Sequence, residues 1–325
     1  MDLVINNRGS YLHQRNDMFL IKCDGKKSPP ISPQKVKSII ISTSIALSTD
    51  VIMLAVKNNI DIIMLNEYGD PYGRFWHSKF GSTAYIRRRQ IEVMESPEGL
   101  ILAKHWIINK IEQSAHHLKI LADKRPSKAD KINKVIDELN INIEKLRKIR
   151  GSVQDKRFNI MAIEGDSAQK YFSTISFLLP EPYKFKGRSS RPARDEYNCM
   201  LNYAFGVLYG KVEKACIIAG LDPYVGILHT DNYNKKSLVF DLIENHRHLA
   251  WKVVFKIFST KRIKKSYFDK IKGGFTLNTE GKKALLSDLE DELNKKIKHK
   301  NKHRTNLDVI QFECHHLANA LIEKG

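Results

Sequence analysis

Residues 60–75, IDIIMLNEYGDPYGRF, read as an apolar strand, a turn and a second short strand, whereas residues 86–121, IRRRQIEVMESPEGLILAKHWIINKIEQSAHHLKIL, open a long stretch of helical periodicity. The change of period between them decides the fold. Upstream, short β-type runs occur at Met18–Lys22, Ser38–Ser42 and Asp61–Leu65, with Gly25, Pro29-Pro30 and residues 66–71 as turn material. Ser48-Thr49-Asp50 offers N-caps for one short helix through Val56, closed at Asn58-Asn59. Downstream, Arg125-Pro126 breaks the helical pattern and Ser127 can cap a helix from Lys128 to Arg150 with a packing stripe of Ile132, Leu139, Ile143 and Leu146. YNCMLNYAFGVLYGKVEKACIIAG is apolar nearly all round, a central helix with Gly220 at its C-terminal cap. The expectation is an α+β chain: a small N-terminal β-rich domain over residues 1–84 and a large all-α domain over residues 85–325. His13 and His77, isolated in polar or aromatic company, read as surface or packing residues.

The chain has 325 residues and a formal net charge of +19, from 55 Lys and Arg against 36 Asp and Glu. Such a field favours a polyanionic partner, nucleic acid first and an anionic membrane surface second. No apolar run approaches the ~20 residues of a membrane span, and MDLVINNRGS has neither the basic nor the apolar region of a secretory signal. The expectation is a soluble, intracellular protein. Cys23, Cys199, Cys216 and Cys314 lie far apart with no C-x-x-C pair, which argues against a disulfide framework and a zinc ribbon.

The chemistry concentrates in GILHTDNYNKKSLVFDLIENHR, residues 226–247. His229 follows an apolar run, a polar loop with Asp231, Asn232 and Asn234 comes next, and a helix begins near Ser237. Asp241 and Glu244, three apart, project from one face of that helix among apolar neighbours. Burying such a pair is costly without positive compensation; a divalent cation would supply it, and His229 could add a nitrogen ligand. A second acid, Glu164, stands in MAIEGDSAQKYFSTISFLL after Ile160, with Gly165 beside it and Ala168 and Tyr171 on its face; an exposed acid on an amphipathic helix is the competing account. The following loop gathers Lys184, Lys186, Arg188, Arg191 and Arg194 around Phe185, a composition suited to a phosphate backbone and a base stack, or to a solvated loop. Asn198 and Asn202 need partners on their buried helix, in the acid cluster or in a loop backbone. Arg87, Arg88 and Arg89 read as a solvated face or a phosphate contact, and Lys295–Arg304 as a mobile polybasic run that pairs with phosphates. The adjacent pairs His116-His117 and His315-His316 cannot share a helix face, which disfavours them as metal sites.

In this order, IEGDSAQKY, the basic loop before DEYNCMLNY, GLDPYVGILH and SLVFDLIENHR make the sequence resemble the CRISPR-associated spacer-acquisition integrase and endonuclease family. STDVIMLAVKNNIDIIML and GGFTLNTEGKK extend the resemblance over nearly the whole chain. The resemblance implies an N-terminal β domain for dimerisation and partner contacts, and a helical catalytic domain with Glu164, His229 and Glu244 as ligands of Mg2+ or Mn2+. Asp241 is then a nearby acid that binds or orients, and Tyr171, Asn198 and Asn202 are supporting residues. The implied reaction is attack by the 3′-hydroxyl of a short DNA fragment on a phosphodiester of the repeat array. The implied partners are double-stranded DNA, a second copy of the chain and a small CRISPR-associated adaptation protein, in the prokaryotic cytoplasm. One departure is visible: the family commonly continues its last motif with Arg-Pro, and here His248 follows Arg247. Two alternatives are a related transposon-type integrase using the same site and a non-catalytic basic DNA-binding protein.

Overall fold

A computed structural model of the chain describes residues 2–323 except 24, 37, 59, 66–70, 76–82 and 230–234. The turn at 66–70, the roles given to Asn59 and His77, and the loop residues Asp231, Asn232 and Asn234 therefore lie outside the described residues. The chain divides into two compact units, Met1–Gly81 and Ser82–Gly325, each with its own core.

The first unit contains strands β1 (Asp2–Ile5), β2 (Tyr11–Arg15), β3 (Met18–Cys23), β4 (Lys26–Lys27), β5 (Ser38–Ile41) and β6 (Ala46–Leu47), helix α1 (Thr49–Lys57), and strands β7 (Asp61–Leu65) and β8 (Pro71–Phe75). They form two four-stranded sheets, ordered β1-β5-β7-β8 and β4-β3-β2-β6. In the first, β1, β5 and β7 run parallel and β8 returns antiparallel to β7. A parallel β5–β7 pair needs a crossover, which α1 supplies; Ser48 caps it by accepting from the Val51 N–H at 3.3 Å. Its buried Val51, Leu54 and Ala55 join Ile5, Leu12, Phe19, Ile39 and Ile62 in one core. Asn16 and Asp17, at φ 52° and 55°, make the two-residue turn between β2 and β3. The sequence reading missed β1, β2, β4 and β6.

The second unit is mostly helical, as expected: α2 (Thr83–Met94), α3 (Pro97–Asp123), α4 (Ala129–Lys148), α5 (Val153–Leu178), α6 (Glu196–Ile218), α7 (Ser237–Ile243), α8 (Arg247–Ser259), α9 (Thr279–Asn294) and α10 (Asn306–Glu323). Two hairpins interrupt it, β9 (Phe268–Ile271) with β10 (Gly274–Leu277), and β11 (Lys296–His299) with β12 (Lys302–Thr305). Several boundaries correct the sequence reading. The region from residue 86 is two helices, because Ser96 caps a new one with Pro97 at its first position. Ser127 caps nothing: it lies in a 3-10 turn before α4. Helix α5 starts at Val153, well before Ile160, with Ser152 accepting from the Asp155 N–H at 3.2 Å. The polybasic run is an ordered hairpin whose turn residues Lys300 and Asn301 take φ 44° and 64°. Helix α3 packs on α4 and α5, and α6 packs on α7, α8 and α10. None of the described helices is long and apolar enough to cross a membrane.

Candidate active site

Glu164 sits midway along α5, facing Lys110 on α3. Lys110 lies beside the buried Trp106, Ile107, Ile111 and Ser114 on the inward side of its helix. A lysine so placed is costly to bury without acid partners, and it has two among the described residues: its Nζ donates to Glu164 Oε1 and stands 2.5 Å from Glu244 Oε2. The three side chains are 11%, 26% and 4% exposed. Helix α7 ends at Ile243, and Glu244 occupies its C-cap with helical dihedrals, its N–H donating to Asp241 O. Arg247, the first residue of α8, clamps the other Glu244 oxygen, with Nε and a terminal nitrogen both 2.8 Å from Oε1. Burial alone would push the Glu244 carboxyl up; Arg247 first and Lys110 next outweigh it and hold the group down to about 2. Glu244 Oε2 is buried and close to the ammonium, but receives no well-aligned hydrogen bond.

Asp241 does different work. Its fully buried carboxylate accepts the backbone N–H groups of Ile227 at 2.6 Å, Leu228 at 3.0 Å and His229 at 3.0 Å, and also contacts His229 Nδ1 at 2.6 Å. That contact assigns the ring proton to Nδ1 and leaves Nε2 as the acceptor nitrogen. Gly226 permits the fold-back onto α7, since a Cβ there would lie 2.5 Å from both His229 O and Ser237 Cβ. From α5, Arg157 Nε donates to Leu228 O at 2.7 Å and fixes the same loop.

The structure thus brings Glu164 and Glu244 together on one cation and places His229 under the control of Asp241. Among the described residues, no three His, Cys, Asp or Glu side chains converge closely enough to hold a metal ion. Gly165 has no neighbour within 4 Å of where a Cβ would stand among the described residues, so the glycine does not mark a close backbone approach. Tyr171 is buried with its hydroxyl 2.7 Å from His117 Nδ1. His248 Nδ1 lies 3.0 Å from Asn245 O, closing the turn between α7 and α8. Asn198 and Asn202 serve the basic loop: they donate to the carbonyls of Gly187, Ser189 and Ser190, and their oxygens accept from Arg188. Arg188 is therefore a loop anchor, and one face of the Phe185 ring is taken by Tyr197, stacked at 4.8 Å. Lys184 pairs with Glu181, while Lys186, Arg191 and Arg194 are exposed. Arg87 pairs with Asp222 and Arg89 with Glu92. A surface depression of about 600 Å³, lined by Glu112, Ile141, Glu144 and Arg147, holds none of the candidate ligands. The sequence reading missed Lys110 and Arg157; for Lys110 the available signal was a lysine at helical spacing among apolar residues.

The family described as "CRISPR associated protein Cas1" matches residues 3–291. CRISPR-associated endonuclease Cas1 1 of Archaeoglobus fulgidus is 32% identical over 322 residues, covering 95% of this chain and 93% of the relative. Among solved structures, a casposase bound to integration product superposes with TM-score 0.82 at 24% identity, over 100% of this chain and 91% of the other. A Cas1 protein from Thermotoga maritima gives TM-score 0.80 at 21% identity, over 99% and 97% of the two chains. At those identities the two structures attest the fold alone.

Proposed function

The chain belongs to the CRISPR-associated Cas1 family, and on that premise we propose that it is a metal-dependent DNA endonuclease and integrase of CRISPR adaptation. The observation that carries the reading is the meeting of Glu164 and Glu244, distant in sequence, on a single buried ammonium, with Glu244 Oε2 lacking an aligned hydrogen bond. Two carboxylate oxygens aimed at one point fit a hard divalent cation, Mg2+ or Mn2+, and His229 Nε2 would be its third donor on a closer approach than the described residues show. Bound there, such an ion would neutralise charge developing on a scissile phosphate.

The chain's own residues prepare that site. Asp241 holds the Nδ1 proton of His229 and with it the orientation of Nε2. Arg247 holds Glu244 ionised and in place. Lys186, Arg191 and Arg194, with the exposed lysines of the β11–β12 hairpin, supply phosphate contacts for a duplex. In strand transfer the 3′-hydroxyl oxygen of a short duplex bonds to phosphorus in the repeat strand. The bond to the leaving 3′-oxygen breaks, and that oxygen takes up a proton as the attacking hydroxyl loses one. Water in place of the hydroxyl gives nicking. A homodimer bridged by a small CRISPR-associated partner would present two such sites to one DNA.

The test is integration of a labelled duplex into a repeat-bearing plasmid with Mn2+ or Mg2+. Glu164→Ala, His229→Ala and Glu244→Ala should each abolish integration and leave duplex binding largely intact. Integration by all three variants would overturn the site, and binding without turnover by the unmodified protein would make it a DNA-binding module.

A further inference from the structure

We propose that Lys110 is the resident cation of the acid pair and that a divalent ion enters by displacing its ammonium. The inference rests on the metal-site reading of Glu164 and Glu244. Lys110 Nζ meets one oxygen from each acid, and those acids come from α5 and from the end of α7. An ion held by these two oxygens would take the place of Nζ, which already touches both, so ion and ammonium exclude each other.

Two features set the direction of exchange. Glu244 cannot rotate away to keep the lysine, because its Oε1 is fixed by two nitrogens of Arg247. The ammonium, by contrast, sits at the end of a flexible four-carbon stem, and its contact with Glu244 Oε2 is a close charge without hydrogen-bond alignment. The partly exposed Glu164 marks the side that opens to solvent. The exchange also changes the charge of the site. Two carboxylates with Lys110 and Arg247 are formally neutral; replacing one ammonium with a divalent ion leaves a positive excess, which suits a phosphodiester. Lys110 thus keeps the acids paired in the metal-free protein and gives way as the site is loaded.

The test needs no DNA. Mn2+ binding is followed by the electron paramagnetic resonance of the free ion, with wild type, Lys110→Met and Glu164→Gln. Lys110→Met should bind Mn2+ about tenfold more tightly, the worth of one charge-assisted hydrogen bond. Its metal-free form should melt lower, and its Mn2+-induced rise in Tm should exceed that of wild type. A second measurement uses unmodified protein, so that a folding defect cannot decide the outcome: acetic anhydride labelling of Lys110, read by mass spectrometry, should accelerate when Mg2+ is added. Wild-type or weaker Mn2+ affinity in a folded Lys110→Met, or labelling of Lys110 unchanged by Mg2+, overturns the displacement. If wild type and Glu164→Gln bind Mn2+ equally, the metal-site reading itself has failed.

Discussion

Glu244 and Asp241, three residues apart and both buried, have opposite surroundings, and their expected behaviour follows from that. The Glu244 carboxyl is held from 4.5 down to about 2, so it stabilises the fold above about pH 4.5, and the contribution is lost as pH falls toward about 2. Its size is on the order of 3 kcal/mol. Glu244→Gln should therefore lower stability at neutral pH, and the gap from wild type in chemical denaturation should close between those two pH values. Asp241 accepts three backbone donors and orients His229, so Asp241→Asn removes a bond from a buried set. The variant should lose about 1–3 kcal/mol and weaken Mn2+ binding about 10–100-fold through a loosened imidazole. Loss of all Mn2+ binding, as from removal of a direct ligand, would contradict an orienting role. The two acids look equivalent in DLIE; their partners separate them, backbone N–H groups for Asp241 and the Arg247 and Lys110 cations for Glu244.

Basic segments differ in what they can touch. In the β11–β12 hairpin, Ile297 is half-buried and His299 and Arg304 lie against Phe312 of α10, Arg304 at 4.4 Å from its ring centre, while Lys296, Lys298 and Lys302 face solvent. Replacing those three lysines with Gln should lower the slope of log DNA affinity against log salt by about 0.9 for each phosphate that is no longer neutralised. Gel-shift titrations at several ionic strengths measure it, and an unchanged slope would remove the hairpin from the interface. In the loop before α6, Lys186, Arg191 and Arg194 should act the same way, whereas Arg188→Ala should mainly lower Tm by releasing Asn198 and Asn202. The hairpin escaped the sequence reading because its strands, KIKH and KHRT, bury little and its Lys300-Asn301 turn lacks the glycine that usually marks such a turn. Strand β2 was missed for a related reason: only Leu12 of YLHQR is buried.

At the scale of the molecule, the helical unit carries two histidines that the fold keeps neutral. His117 and His248 are each lowered from 6.5 to about 3, by burial first and then by the charge of Lys252. Their contribution is complete above about pH 6.5 and is lost as pH falls toward about 3, because the unfolded chain takes up protons that the folded one refuses. His117→Gln and His248→Gln should each flatten the fall of Tm over that interval; parallel profiles would show these residues titrating normally in the fold. The sequence by itself determined the change from strand to helix, the polyanion-seeking charge and the candidate acids, because periodicity, composition and motif order are local or additive properties of the chain. It could not decide which acids meet. Glu164 and Glu244 converge because α3, α5 and the α7–α8 turn pack on one core, and the apolar sequence setting of Lys110 held no hint of its partners, which come from two other elements. Side-chain convergence across elements is a property of packing, and only the tertiary structure decided it.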